Sequence, residues 1–139
     1  MWPDTFESRL LDWNDLRSSC AYQDTLTRYS LINDWWFRAP MVNRYLHWDD
    51  WPDWPTPWEL LNDNIYCDLA RALGMLYTII MIDPQDHVEL ARCDQDNLVR
   101  VQQGKYILNW CPGDIVNIRS QESIVTKTLD GTLFQKKLG

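Results

Sequence analysis

The run Cys67-Asp68-Leu69-Ala70-Arg71-Ala72-Leu73-Gly74, continued by Met75-Leu76-Tyr77-Thr78-Ile79-Ile80-Met81-Ile82, decides the fold. Before Gly74, apolar residues recur at helical spacing (Ile65, Leu69, Ala72, Leu73), and the glycine reads as the stop that follows a helix. From Leu76 to Ile82 the chain is β-branched and nearly all apolar, the pattern of a central strand. A change of period at Gly74 implies an α+β domain, with N-terminal helices packed on a C-terminal antiparallel β-meander.

Upstream, Thr56-Pro57-Trp58-Glu59 is a helix start: Thr caps, Pro suits the first helical position, and Glu reaches back to the cap's own N–H. That short helix breaks at Asn62-Asp63-Asn64, where Asn or Asp can cap again, so Cys67 falls in the first turns of the next piece. Asp4 and Glu7 have cap-and-return spacing for a first helix over 5–19, and a second, after Asp24, carries Leu26, Tyr29, Ile32, Trp35 and Trp36 and ends before Pro40. After them, residues 40–58 alternate Trp48, Trp51, Trp54 and Trp58 with Asp49, Asp50, Asp53 and with Pro52, Pro55 and Pro57, which favours an extended, polyproline-like arm.

Downstream, turns at Asp83-Pro84, Asp94 to Asn97, Gly104 and Pro112-Gly113 separate strands at His87–Leu90, Leu98–Val101, Tyr106–Trp110, Ile115–Ile118 and Ile124-Val125, and Asp130-Gly131 is a hairpin signal. The 139 residues thus form one domain: helices over 1–39, the arm over 40–58, a helix over 59–74 and the meander over 75–139.

A formal charge of -7, from 13 basic and 20 acidic residues, disfavours a phosphate backbone, so nucleic acid is not an expected partner. Lys127, Lys136 and Lys137 read as a solvated tail. No run reaches the ~18 apolar residues of a membrane helix, and Met1-Trp2-Pro3-Asp4 lacks a basic leader, so neither a membrane nor export by that route is expected. Cys20, Cys67, Cys93 and Cys111 stand apart without a CxxC pair and read as thiols. With His47 and His87 the only histidines, and no calcium-loop spacing in Asp49, Asp50 and Asp53, neither a metal nor another cofactor is expected.

The segment Trp54-Pro55-Thr56-Pro57-Trp58-Glu59-Leu60-Leu61, then Tyr66-Cys67-Asp68-Leu69-Ala70 and Leu73-Gly74, resembles the approach to the nucleophile helix of bacterial transglutaminase-like cysteine proteinases. His87-Val88-Glu89-Leu90 and Tyr106-Ile107-Leu108-Asn109 are similar in place to that family's histidine strand and its acid or amide strand. Over residues 54–110 the resemblance implies a transglutaminase-like or papain-like scaffold. It also implies a cysteine hydrolase or acyl transferase with Cys67 as nucleophile, His87 as base and Asn109 orienting the imidazole. Asn64, Ile65 and Tyr66 stand where that family places glycines, and their side chains would crowd an oxyanion. His47 is the other histidine that could be proposed as base.

A second resemblance spans the chain. Trp35-Trp36-Phe37, Tyr45 to Asp50, Cys67 to Gly74 and Gly104 to Trp110 look like segments of small proteins encoded by contractile-tailed cyanophages. It implies a virion or assembly component of the head, neck, tail or baseplate, made in the host cytoplasm and contacting other phage structural proteins or itself.

Six of the nine tryptophans lie between Trp35 and Trp58. Large aromatics can dock an irregular arm onto its own domain, form a protein interface through Trp35, Trp36, Trp48, Trp51, Trp54 and Trp58, or stack on sugar rings beside the aspartates. The leading expectation is a non-enzymatic structural or assembly protein, with a Cys67–His87–Asn109 hydrolase and a glycan-binding module as alternatives.

Overall fold

The computed structural model describes residues 2–94, 96–117 and 125–138. The helices are α1 (Phe6–Cys20), α2 (Thr25–Phe37), α3 (Pro57–Asp63) and α4 (Asp68–Ile82), with 3₁₀ segments at Trp48–Asp53 and Gly131–Leu138. The strands are β1 (Val88–Cys93), β2 (Asp96–Val101), β3 (Tyr106–Cys111), β4 (Asp114–Asn117) and β5 (Val125–Asp130). They form one antiparallel sheet in the order β4-β3-β2-β1-β5. The expected α+β division holds, and of the strands read from the sequence only Ile118 and Ile124 lie outside the described residues.

Helix starts follow the local chemistry. Asp24 caps α2 by accepting from the Thr27 N–H, and Thr56 and Glu59 form the reciprocal box of α3. The α1 cap is Thr5 rather than Asp4, because the Ser8 hydroxyl returns to the Thr5 N–H while Thr5 Oγ1 takes the Ser8 N–H. Asn64 ends α3 at φ 56°, in the left-handed region that asparagine tolerates.

The main correction falls at Gly74, which ends nothing. Helix α4 runs through it to Ile82, so residues 75–82, expected as a strand, form the second half of a central helix buried on every side from Leu69 to Ile80, Arg71 excepted. A helix covered all round has no polar stripe and cannot be told from a buried strand by periodicity. The glycine serves packing: a Cβ there would stand 2.6 Å from the Trp36 ring. Thr78, one turn on, gathers the neighbouring helices. Its hydroxyl accepts from Trp13 Nε1 of α1 at 2.9 Å and Trp36 Nε1 of α2 at 3.0 Å, and donates to the Gly74 carbonyl at 2.7 Å.

One sheet face, with Leu90, Val99, Val101 and Leu108, packs on α4 in the main core, and the other buries a smaller cluster of Ala91, Cys93, Leu98 and Ile107. The arm is not polyproline-like. Trp48–Asp53 coils into a 3₁₀ helix that contains Pro52, whose fixed φ suits that geometry. It is locked by the far end of the chain: Phe134 stacks on Trp54 at 5.9 Å, and Lys137 Nζ donates to the carbonyls of Pro52 at 3.0 Å and Trp54 at 2.7 Å. Of the lysines expected in a solvated tail, Lys127 and Lys136 are exposed while Lys137 is a clamp, and Asp130-Gly131 opens this segment rather than a hairpin.

Candidate functional site

Cys67 is the N-cap of α4, a place that usually calls for an oxygen acceptor. Its sulfur takes that role, accepting from the Ala70 N–H at 3.4 Å and, from the segment entering the arm, the Leu46 N–H at 3.5 Å. That segment is held alongside by a parallel bridge between Met41 and Tyr66 and by the Val42 N–H on the Tyr66 carbonyl at 2.7 Å. Cys67 is 4% exposed and lines a cavity of about 380 Å³ with Asn43, Arg44, Asp68, Arg92 and Asn97.

Of the three residues expected to act together, the structure ties Asn109 to Asp68, the residue after Cys67, and leaves His87 away. Asn109 Nδ2 reaches the Asp68 carbonyl at 3.1 Å and the Asp68 carboxylate at 3.2 Å. His87 lies beyond the other end of α4, exposed, just before β1, in a separate cavity of about 190 Å³ with Glu89, Arg100 and Asp130. Fifteen helical residues at about 1.5 Å each put the two ends of α4 roughly 22 Å apart. The displacement has one cause: residues 75–82 are helix, so β1 begins at the far end of α4 and only its last residues return to Cys67. His47 is exposed before the arm helix, and its carbonyl accepts from Trp54 Nε1 at 2.7 Å.

What meets the start of α4 is the end of β1 and the start of β2, which bring Arg92 and Asn97 to the lining of the Cys67 cavity. Asp68 Oδ2 accepts from the Asn97 N–H at 2.9 Å and from Asn97 Nδ2 at 3.0 Å, while Asn97 Oδ1 accepts from Trp48 Nε1 at 2.7 Å. Asn109 Nδ2 also donates to the Asn97 carbonyl at 2.7 Å, and Asn109 Oδ1 accepts from Arg71 Nε at 2.6 Å. Arg71 pairs with Asp68 at 3.3 Å and lies 3.8 Å over the Phe37 ring; burial, the leading influence, lowers its pKa. Asn109 takes φ 69°, and its backbone N–H donates to Asn33 Oδ1 of α2 at 2.8 Å. Helix start, strands and arm are therefore cross-tied within one turn of the thiol.

The chemistry of this set is restricted. An amide has no proton-accepting nitrogen and a guanidinium stays charged, so neither Asn97 nor Arg92 can take a proton from a thiol. Both Asp68 oxygens are already engaged by donors. The sequence assigns no site role to Asn97, Asp68, Arg71 or Arg92: Asp68 and Arg71 stand in the helical run, and Asp94 to Asn97 read only as a turn. Once α4 is known to reach Ile82, strand geometry alone brings that turn to Cys67.

The tryptophans expected as an interface face inward. Trp35, Trp36, Trp48 and Trp54 are buried, and Trp51 and Trp58 are half-buried. Trp35 Nε1 donates to Asp12 at 2.7 Å, so each of the four buried indoles finds an acceptor inside the chain. The arm docks on its own domain. Among the described residues, no three His, Cys, Asp or Glu side chains gather as metal ligands, and no helix is long and apolar enough to cross a membrane.

No protein-family model matches the chain, and no curated protein matches it. Among solved structures, LapG of Legionella pneumophila aligns with a TM-score of 0.67 at 14% identity, over 86% of this chain and 71% of LapG. Its calcium-bound form aligns at 0.71 and 13% identity, over 92% and 77%. At this identity the likeness is one of fold: the chain shares the α+β architecture of LapG, helices packed on an antiparallel sheet.

Proposed function

We propose that this chain is a transglutaminase-like domain that binds polypeptide in the cleft beside Cys67 and lacks the proton relay of a cysteine hydrolase. One observation carries the reading: the polar residue that β2 brings to the thiol is Asn97, whose amide is committed to Asp68 and Trp48 and accepts no proton. Limiting iodoacetamide near neutral pH, followed by peptide mapping, tests it. Cys67 should label no faster than Cys111, the one partly exposed thiol among the four. Rapid, selective labelling of Cys67 sinks the reading. Asn97→His should speed labelling of Cys67, by supplying a base where the scaffold can use one.

A second reading, a cysteine hydrolase or acyl transferase, is favoured by a different observation. The sulfur sits at the start of a fifteen-residue helix, receives two backbone N–H groups and lines a polar cavity on a scaffold shared with LapG. Cys67 would remain the nucleophile and Asn109 a positioning residue, with the base supplied by a group other than His87. The same labelling experiment decides between the two. A contact role in a contractile-tailed phage virion, with other phage proteins or a second copy as partner, rests on the sequence resemblance alone, and the inward-facing tryptophans weaken its expected interface.

A further inference from the structure

We infer that the Cys67 cavity selects an acidic polypeptide segment, one that presents a carboxylate to Arg44 and Arg92. The inference rests on the binding reading above and names the ligand class of the same site. In a chain of net charge -7, both of these arginines line the cavity that reaches the thiol. Arg44 is exposed and has no hydrogen-bond or ion-pair partner among the described residues. Arg92 forms no ion pair among them either, and its one side-chain bond is a long 3.5 Å contact to Asn97 Oδ1. Both guanidiniums keep donors to offer.

The one acidic side chain lining the cavity does not cancel them. Asp68 is paired with Arg71 and accepts from both asparagines, so its charge is balanced by a cation that faces Phe37 rather than the opening. A carboxylate entering the cavity meets two cations, free to fork onto its oxygens. Next to the opening, Met41, Val42 and Ile65 expose 42%, 47% and 41% of their surface on adjoining backbone stretches. Apolar neighbours beside a cationic cavity fit a peptide whose acidic residue is flanked by apolar ones. A nucleic acid, needing a run of cations, would meet the acidic remainder of the surface.

The experiment measures binding to the full-length protein by fluorescence anisotropy. It uses a short labelled peptide of alternating Glu and Leu, the same peptide with Gln for Glu, and a single-stranded oligonucleotide. The expected result is tighter binding of the Glu peptide, weakened about tenfold by Arg44→Gln or Arg92→Gln, with no effect of the remote Lys105→Gln. Arg44→Glu combined with Arg92→Glu should reverse the preference toward a Lys-Leu peptide, a gain that a misfolded variant cannot give. Equal binding of the Glu and Gln peptides, or arginine variants without effect, overturns the acidic preference while the polypeptide-binding reading stands. Binding of neither peptide overturns both, and tighter binding of the oligonucleotide overturns the ligand class.

Discussion

Thr78→Val keeps the volume and branching of the side chain yet should cost about 1–4 kcal/mol of folding stability. Two indole N–H groups, of Trp13 and Trp36, point at the Thr78 hydroxyl, and both rings are 0% exposed, so water cannot replace it. Leaving a buried donor unsatisfied costs about 1–3 kcal/mol, hence roughly 2–6 for the pair. Against this stand the desolvation of the hydroxyl, no longer incurred, and a methyl gained in an apolar site, together about 1–2 kcal/mol. The Gly74 carbonyl loses a second donor but keeps its place in the helix ladder. Urea unfolding followed by far-ultraviolet circular dichroism would show a lower midpoint with an unchanged slope. Thr78→Ser, which keeps the acceptor, should cost about 1 kcal/mol for the lost methyl. If the valine variant loses less than about 1 kcal/mol, or the serine variant loses more than the valine one, the hydroxyl does not join the three helices as described.

Gly74→Ala should destabilise even though alanine is the better helix former: a Cβ 2.6 Å from a fully buried indole costs about 1–3 kcal/mol, against a propensity gain of about 1, and an increase in the urea midpoint would contradict the packing. Asp86→Asn probes a half-buried carboxylate whose pKa is pushed above 3.8, first by burial, with the Tyr29 hydroxyl at 2.8 Å opposing the shift. Because the folded chain holds that proton more tightly than the unfolded one, its contribution is fully present below the ordinary aspartate range and lost as pH rises through the folded value. The asparagine variant should therefore gain on the native protein as pH climbs from acid to neutral, and parallel stability curves would refute the sign.

The division into helices and sheet was legible because both patterns are local: the box Thr56-Pro57-Trp58-Glu59 and the short apolar, turn-bounded runs Leu98–Val101 and Tyr106–Trp110 state their geometry in a few residues. Leu76 to Ile82 was not legible. Isoleucines at 79, 80 and 82 prefer strands on their own, but the rings of Trp13 and Trp36 and the sheet enclose this stretch, and tertiary burial overrides that preference. The same misreading moved the site. Cys67 stands at a helix start and Asn109 bonds the neighbouring Asp68, and neither placement depends on where α4 ends. That of His87 does, because a helix carried on to Ile82 delivers the following strand to the wrong end of the molecule. Asn97 and Arg92 became relevant only through a register that pairs Arg92 with Asn97 and Cys93 with Asp96.

The clamp on the arm ties the order of events in folding to the order of synthesis. Lys137 and Phe134 fasten residues eighty or more positions earlier in the chain. During translation the helices and most of the sheet are available while the tryptophan segment still has nothing to close against, and the packing of Trp54 therefore sets among the last steps. Until then Trp54 has one ring face uncovered. Any partner that engages the tryptophan segment during this interval would meet a different surface from the one displayed afterwards.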